Sequence, residues 1–114
     1  MPEQMKPIKL NNLQARTLTV LQELARHPET STEDADTGNV LITQFPDPHG
    51  NHFHVGEAVV MAANATGLRN ESVWKALERK GLARAFFPHG IALTPDGQAF
   101  DTGLGETILI RADH

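Results

Sequence analysis

Residues 70–100, NESVWKALERKGLARAFFPHGIALTPDGQAF, decide the fold. Asn70 suits an N-cap, because its side-chain oxygen can accept from the free amides of a first helical turn. Gly81 suits the stop, since glycine takes the left-handed backbone just past a last turn. Between them Val73, Ala76, Leu77 and the stem of Lys80 share one face at helical spacing. Lys75 lies opposite, with Ser72 and Arg79 on one flank and Glu71 and Glu78 on the other, and Trp74 at the boundary between buried and exposed. After Gly81 the period changes to two: Leu82, Arg84 and Phe86 alternate with Ala83, Ala85 and Phe87. Pro88-His89-Gly90 supplies a turn and Ile91 to Thr94 the returning strand. Pro95-Asp96-Gly97 reads as a second turn that stops this strand, with glycine there for its tolerance of positive φ.

Upstream, GEAVVMAANAT (56–66) is apolar on nearly all sides and is expected to be a short helix covered on both faces. Gly67-Leu68-Arg69 turns it into the helix at Asn70, a helix-turn-helix whose second member would be the recognition helix. VLITQF (40–45) and HFHV (52–55) read as two strands of a hairpin around the turn formers 46–51. The polar, acidic run 29–39, ETSTEDADTGN, reads as a solvated loop. A helix is expected from Asn12 to Arg26, with a capping box of Asn11 and Gln14 and a stop at His27-Pro28. Its core stripe is Leu13, Thr17, Val20, Leu21 and Leu24, and Asn12, Arg16, Thr19 and Glu23 are expected to face outward. Residues 1–9 read as a mobile tail, with a single domain over 10–114. Thr107-Ile108-Leu109-Ile110 reads as a C-terminal strand that pairs with a sheet edge.

A chain of 114 residues fits one domain with its own core. It has no cysteine, which excludes disulfides and thiolate-bound zinc. It shows no apolar run of membrane-spanning length and no signal-peptide core in its first ten residues, so a cytoplasmic setting without membrane contact is expected. The net charge of −4 speaks mildly against a dedicated polyanion binder. Its distribution is uneven: residues 56–100 carry 5 basic and 4 acidic side chains, against 4 and 7 in residues 1–55 and 1 and 3 in residues 101–114.

Chemistry is sparse. Ser31 and Ser72 have no evident base, there is no nucleophile elbow, and no phosphate-cradling glycine motif precedes a helix. The chain reads as a non-enzyme with no catalytic residue and no cofactor. His52 and His54 share one face of a strand beside His49 in the adjoining turn, the one grouping that could ligate a metal. The expectation is the plainer one, a polar hairpin face holding no metal.

The stretch SVWKALERKGLARAFFPHGIALTPDGQAF resembles the second half of winged helix-turn-helix domains in MarR- and PadR-type regulators. The likeness runs over residues 57–100: a recognition helix ending in a charged-Gly-Leu step, a two-stranded wing, and a Leu-Thr-Pro-x-Gly turn that opens the next helix. LNNLQARTLTVLQELA (10–25) is more loosely similar to the opening helix of the YjhX-type small protein family. The expected fold is α+β: a small winged-helix-like domain of three helices, two β-hairpins and a C-terminal strand. The resemblance implies that Ser72, Lys75 and Arg79 face the major groove of double-stranded DNA and that Arg84 and His89 sit on the wing; Arg69, just before the helix, is a further candidate for nucleic-acid contact. So few cations would call for a homodimer. The competing expectation is a protein-interaction module that docks a protein partner through Trp74, Phe86, Phe87 and Val60.

Overall fold

The computed structural model describes residues 8–111. In chain order it holds α1 (Asn12–Leu24), β1 (Ser31–Glu33), β2 (Val40–Ile42), β3 (His52–Val55), β4 (Ala58–Met61), a 3-10 turn (Ala62–Asn64), α2 (Glu71–Arg79), β5 (Ala83–Phe86), β6 (Gly90–Leu93), α3 (Pro95–Ala99), α4 (Gly105–Ile108) and β7 (Ile110–Arg111). The expected tail over 1–9 lies outside the described residues except for Ile8 and Lys9, which are exposed.

The capping box forms: Gln14 N donates to Asn11 Oδ1 at 2.8 Å and Asn11 N to Gln14 Oε1 at 3.1 Å. At the far end of α1, Thr30 Oγ1 donates to the Leu24 carbonyl (2.6 Å) and Ser31 Oγ to those of Ala25 (3.1 Å) and His27 (2.9 Å). These bonds satisfy carbonyls that a helix end leaves free.

The strands form two antiparallel sheets, one ordered β1-β2-β6-β5 and the other β3-β4-β7. Leu18, Leu21 and Leu24 of α1 meet Ile42, Ile91 and Leu93 of the larger sheet, Val55 and Val60 of the smaller one, and Trp74 and Leu77 of α2 in one buried cluster. The fold is therefore α+β, with four helices and two sheets among the described residues.

Several expectations are corrected. The helix expected over 56–66 is strand β4 followed by a single 3-10 turn, so no helix-turn-helix precedes α2. Gly56, at φ 59°, allows a two-residue turn that pairs Val55 with Ala58 and sends the chain straight back along β3. Strand β4 is central, between β3 and β7, and it is apolar on successive residues with one face buried (Ala58, Val60) and the other half-buried (Val59, Met61). Strands β2 and β3 do not form a hairpin: β2 lies between β1 and β6, whereas β3 pairs with β4. Pro46 and Pro48, which lack ladder donors, lie in the connection.

The acidic run 29–39 is not wholly loop, since Ser31–Glu33 pairs with β2. Pro95-Asp96-Gly97 stops β6 as expected but is more than a turn: it opens α3, as the Leu-Thr-Pro-x-Gly resemblance implies, with Thr94 as N-cap accepting from Gly97 N at 3.1 Å. Gly97 is needed for close approach, because a Cβ there would overlap the Leu82 carbonyl oxygen, and its φ is not positive. Of the strand expected at 107–110, Thr107 and Ile108 belong to α4, and only Ile110 continues into β7 beside β4.

Candidate functional site

Helix α2 is set as its sequence implies. Asn70 Oδ1 accepts from Ser72 N (2.9 Å) and Val73 N (3.4 Å), and Gly81 follows at φ 79°. Val73, Trp74, Ala76 and Leu77 are buried, and Glu71, Ser72, Lys75, Glu78 and Arg79 are exposed. Trp74, expected at the boundary, is fully buried and ties three segments together. Its Nε1 donates to the Leu68 carbonyl at 2.9 Å, the Phe45 ring lies 5.6 Å away, and the Phe87 ring meets it edge-on at 4.9 Å. An indole that spends its N–H on a backbone carbonyl inside a packed core is an anchor, not a contact surface. Val60 on β4 is buried as well. Two of the four residues expected to dock a protein partner are thus corrected to core positions, while Phe86 and Phe87 remain exposed.

All six residues expected to meet nucleic acid are exposed, but they do not form one surface. Ser72, Lys75 and Arg79 line the outer face of α2. Lys75 Nζ lies 3.2 Å from Glu71 Oε2, an exposed pair one turn apart worth only a few tenths of a kcal/mol, about 0.3–0.5. Glu78 Oε1 accepts from Ala85 N at 3.3 Å, which draws that carboxylate toward the edge of β5. Arg69 is engaged at the helix entry: its Nη2 lies 3.4 Å from both the Phe45 carbonyl and Asp47 Oδ1, and its guanidinium sits 5.9 Å from the centre of the Phe45 ring.

Arg84 is on the other side of the sheet. It lines a depression of about 310 Å³ with Thr32, Glu33, Asp34, Leu41, Phe86 and Ala92, whereas its neighbour Ala83 is buried in the core beneath α2. Period-two alternation on β5 is the reason, and the two carboxylates beside it make this a poor place for phosphate. His89 stands exposed at the β5–β6 turn, by a small apolar depression of about 250 Å³ formed with Leu41, Thr43, Phe86 and Gly90.

The most organised polar cluster was not anticipated. Thr19 and Glu23, expected on the outward face of α1, are buried. Glu23 Oε1 accepts from Arg111 Nη2 (2.8 Å) and Arg26 Nη1 (3.3 Å), and its Oε2 lies 3.0 Å from His27 Nε2 and 3.4 Å from Arg111 Nη1. Burial by itself would raise the Glu23 pKa; hydrogen bonds from Arg111 and His27, and the charges of Arg111 and Arg26, outweigh it and hold the carboxyl below its ordinary value. The same hydrogen bond and the Glu23 charge push Arg111 up. A depression of about 470 Å³ opens here, lined by Thr19, Gln22, Glu23, Arg26, Gly105, Glu106, Leu109 and Arg111.

Thr19 Oγ1 lies 2.6 Å from Thr102 Oγ1, and Gln22 Nε2 donates to the carbonyls of Gly97 (2.9 Å) and Phe100 (2.7 Å). With both oxygens of Glu23 engaged, the cluster works as a clasp holding the C-terminal segment against α1. The Glu23-to-His27 spacing of one helical turn was visible in the sequence, but the arrival of Arg111 from 88 residues away was not.

Among the described residues no helix is long and apolar enough to cross a membrane. No family model, curated protein or solved structure matches this chain.

Proposed function

We propose that this chain is a non-enzymatic, winged-helix-like module that lays the outer face of α2 on double-stranded DNA through Ser72, Lys75 and Arg79. One observation carries the reading: α2 is anchored on its inner side by Trp74 and leaves those three side chains aligned and exposed. The order of elements agrees with the MarR/PadR resemblance, since α2, the glycine stop, the antiparallel hairpin β5–β6 and the Thr94-capped helix α3 follow one another as it implies. The helix that would precede α2 is replaced by β4 and a 3-10 turn, so the reading rests on α2 itself. The non-enzymatic part of the reading is supported by Ser31 Oγ, which is spent on two carbonyls, and by Glu23, which is spent on its cations.

The competing reading, docking of a protein partner, rests on Phe86 and Phe87 once Trp74 and Val60 are assigned to the core. A duplex titration at rising salt separates the two. Lys75 and Arg79 displace about two counterions, so log K falls against log salt with a slope of about −2 for one copy and about −4 for a homodimer. Lys75→Glu with Arg79→Glu abolishes binding on the DNA reading, and Phe86→Ser leaves it unchanged. Salt-independent behaviour, or indifference to the double charge reversal, defeats the DNA reading.

A further inference from the structure

We propose that His49, His52 and His54 form a binding site for a borderline-soft divalent cation of the zinc, nickel or copper type. His52 and His54 stand two apart on β3 and so share a face of the strand. The structure adds the third ring: His49 pairs back across the turn with His52, its N donating to the His52 carbonyl at 2.6 Å and its carbonyl accepting from His52 N at 3.4 Å. The three imidazoles make a closed triangle with ring centres 5.0 Å (His52 to His54), 5.3 Å (His49 to His54) and 6.3 Å (His49 to His52) apart.

Two of the three separations, 5.0 and 5.3 Å, match a tetrahedral metal shell, and the third, 6.3 Å, must close by about 1 Å. With a metal–nitrogen bond of about 2.1 Å, a ring centre lies about 3.2 Å from the ion, and two rings at a tetrahedral angle have centres about 5.2 Å apart. Asn51 Oδ1 lies 3.4 Å from His52 Nδ1, a partner that favours turning Nε2 toward a ligand. Among the described residues no three His, Cys, Asp or Glu side chains are already set to hold an ion, so closure requires ring rotation. His49 and His54 are exposed and His52 half-buried, which leaves the rings room to make it. Three imidazole donors suit zinc, nickel or copper better than the hard cations magnesium and calcium, and they leave a fourth position for water or another donor.

The test is a titration of the untagged full chain with zinc chloride, followed by histidine ring NMR. The expected result is saturation at one ion per chain, with the ring signals of His49, His52 and His54 shifting together. Alanine at any one of the three weakens binding by at least about tenfold, as loss of a ligating group should, and His114→Ala changes nothing. Circular dichroism of each variant establishes that it is folded. Absence of coupled shifts, or affinities within twofold of the parent in all three alanine variants, overturns the site.

Discussion

Helices α1 and α2 are both capped amphipathic helices with a polar outer face, yet those faces meet opposite fates. The polar residues of α2 stay in water, with Lys75 and Arg79 held, among the described residues, by nothing stronger than an exposed pair between Lys75 and Glu71. The second half of the polar face of α1 is covered by the chain's own C-terminal segment: Thr19 meets Thr102, and the carboxylate of Glu23 is buried among Arg26, His27 and Arg111. A polar stripe on a helix is therefore available to a partner only where no remote segment has claimed it. Coverage also changes the energetics, because a charge pair in water is worth little whereas removing one member of a buried cluster leaves others unsatisfied.

Substitutions probe this contrast, and the largest effect is expected on the buried side of α2. Trp74→Ala removes the indole packed by Phe45 and Phe87 together with its bond to the Leu68 carbonyl, and should cost about 3–5 kcal/mol in urea unfolding. Next comes Glu23→Gln, which keeps the shape but removes the charge that the Arg26 and Arg111 guanidinium groups face, at an expected cost of about 1–3 kcal/mol.

That cost is pH-dependent with a definite sign. The folded-state pKa of Glu23 is lowered, so its contribution is fully present above the ordinary carboxylate value, about 4.3, and is lost as pH falls through the lowered value. Melting temperature measured downward from pH 5 should fall more steeply for the parent than for Glu23→Gln.

Gly56→Ala tests the cover over the end of α1, because a Cβ there would overlap the His27 ring and the backbone is left-handed at φ 59°. About 1–2 kcal/mol of destabilisation is expected by denaturant titration. The smallest effect belongs to the outer face of α2: Lys75→Glu with Arg79→Glu should change stability by no more than about 0.5 kcal/mol. If that double variant destabilised the fold as much as Glu23→Gln, the contrast between the two helices would be lost.

What could be read from the sequence follows the range of the interactions. The α1 capping box, the span of α2, the Gly81 stop and the β5–β6 hairpin are all set by residues within a few positions of one another, and all form. Segment 56–66 was misread because a short unbroken apolar run is compatible with a buried helix or a central strand. What decides between them is a positive-φ turn at Gly56 and an edge partner, β7, from more than 50 residues later.

The partner of β2 was misassigned for the same reason, since β6 is also remote. Among the site residues, exposure of Ser72, Lys75 and Arg79 followed from helical spacing alone. The separation of Arg84 from them depends on which face of β5 packs under α2, and local sequence does not say. The clasp around Glu23 needed Arg111, and the triangle of His49, His52 and His54 needed the turn that folds His49 back onto β3.

The most direct test of the α2 reading is amide NMR of the full chain titrated with a mixed-sequence duplex at low salt. Shifts clustered on Ser72, Lys75 and Arg79, reversed by added salt, with the signals around Glu23 and Arg111 unmoved, are the expected result. Shifts confined to Phe86 and Phe87, or none at α2, would contradict it.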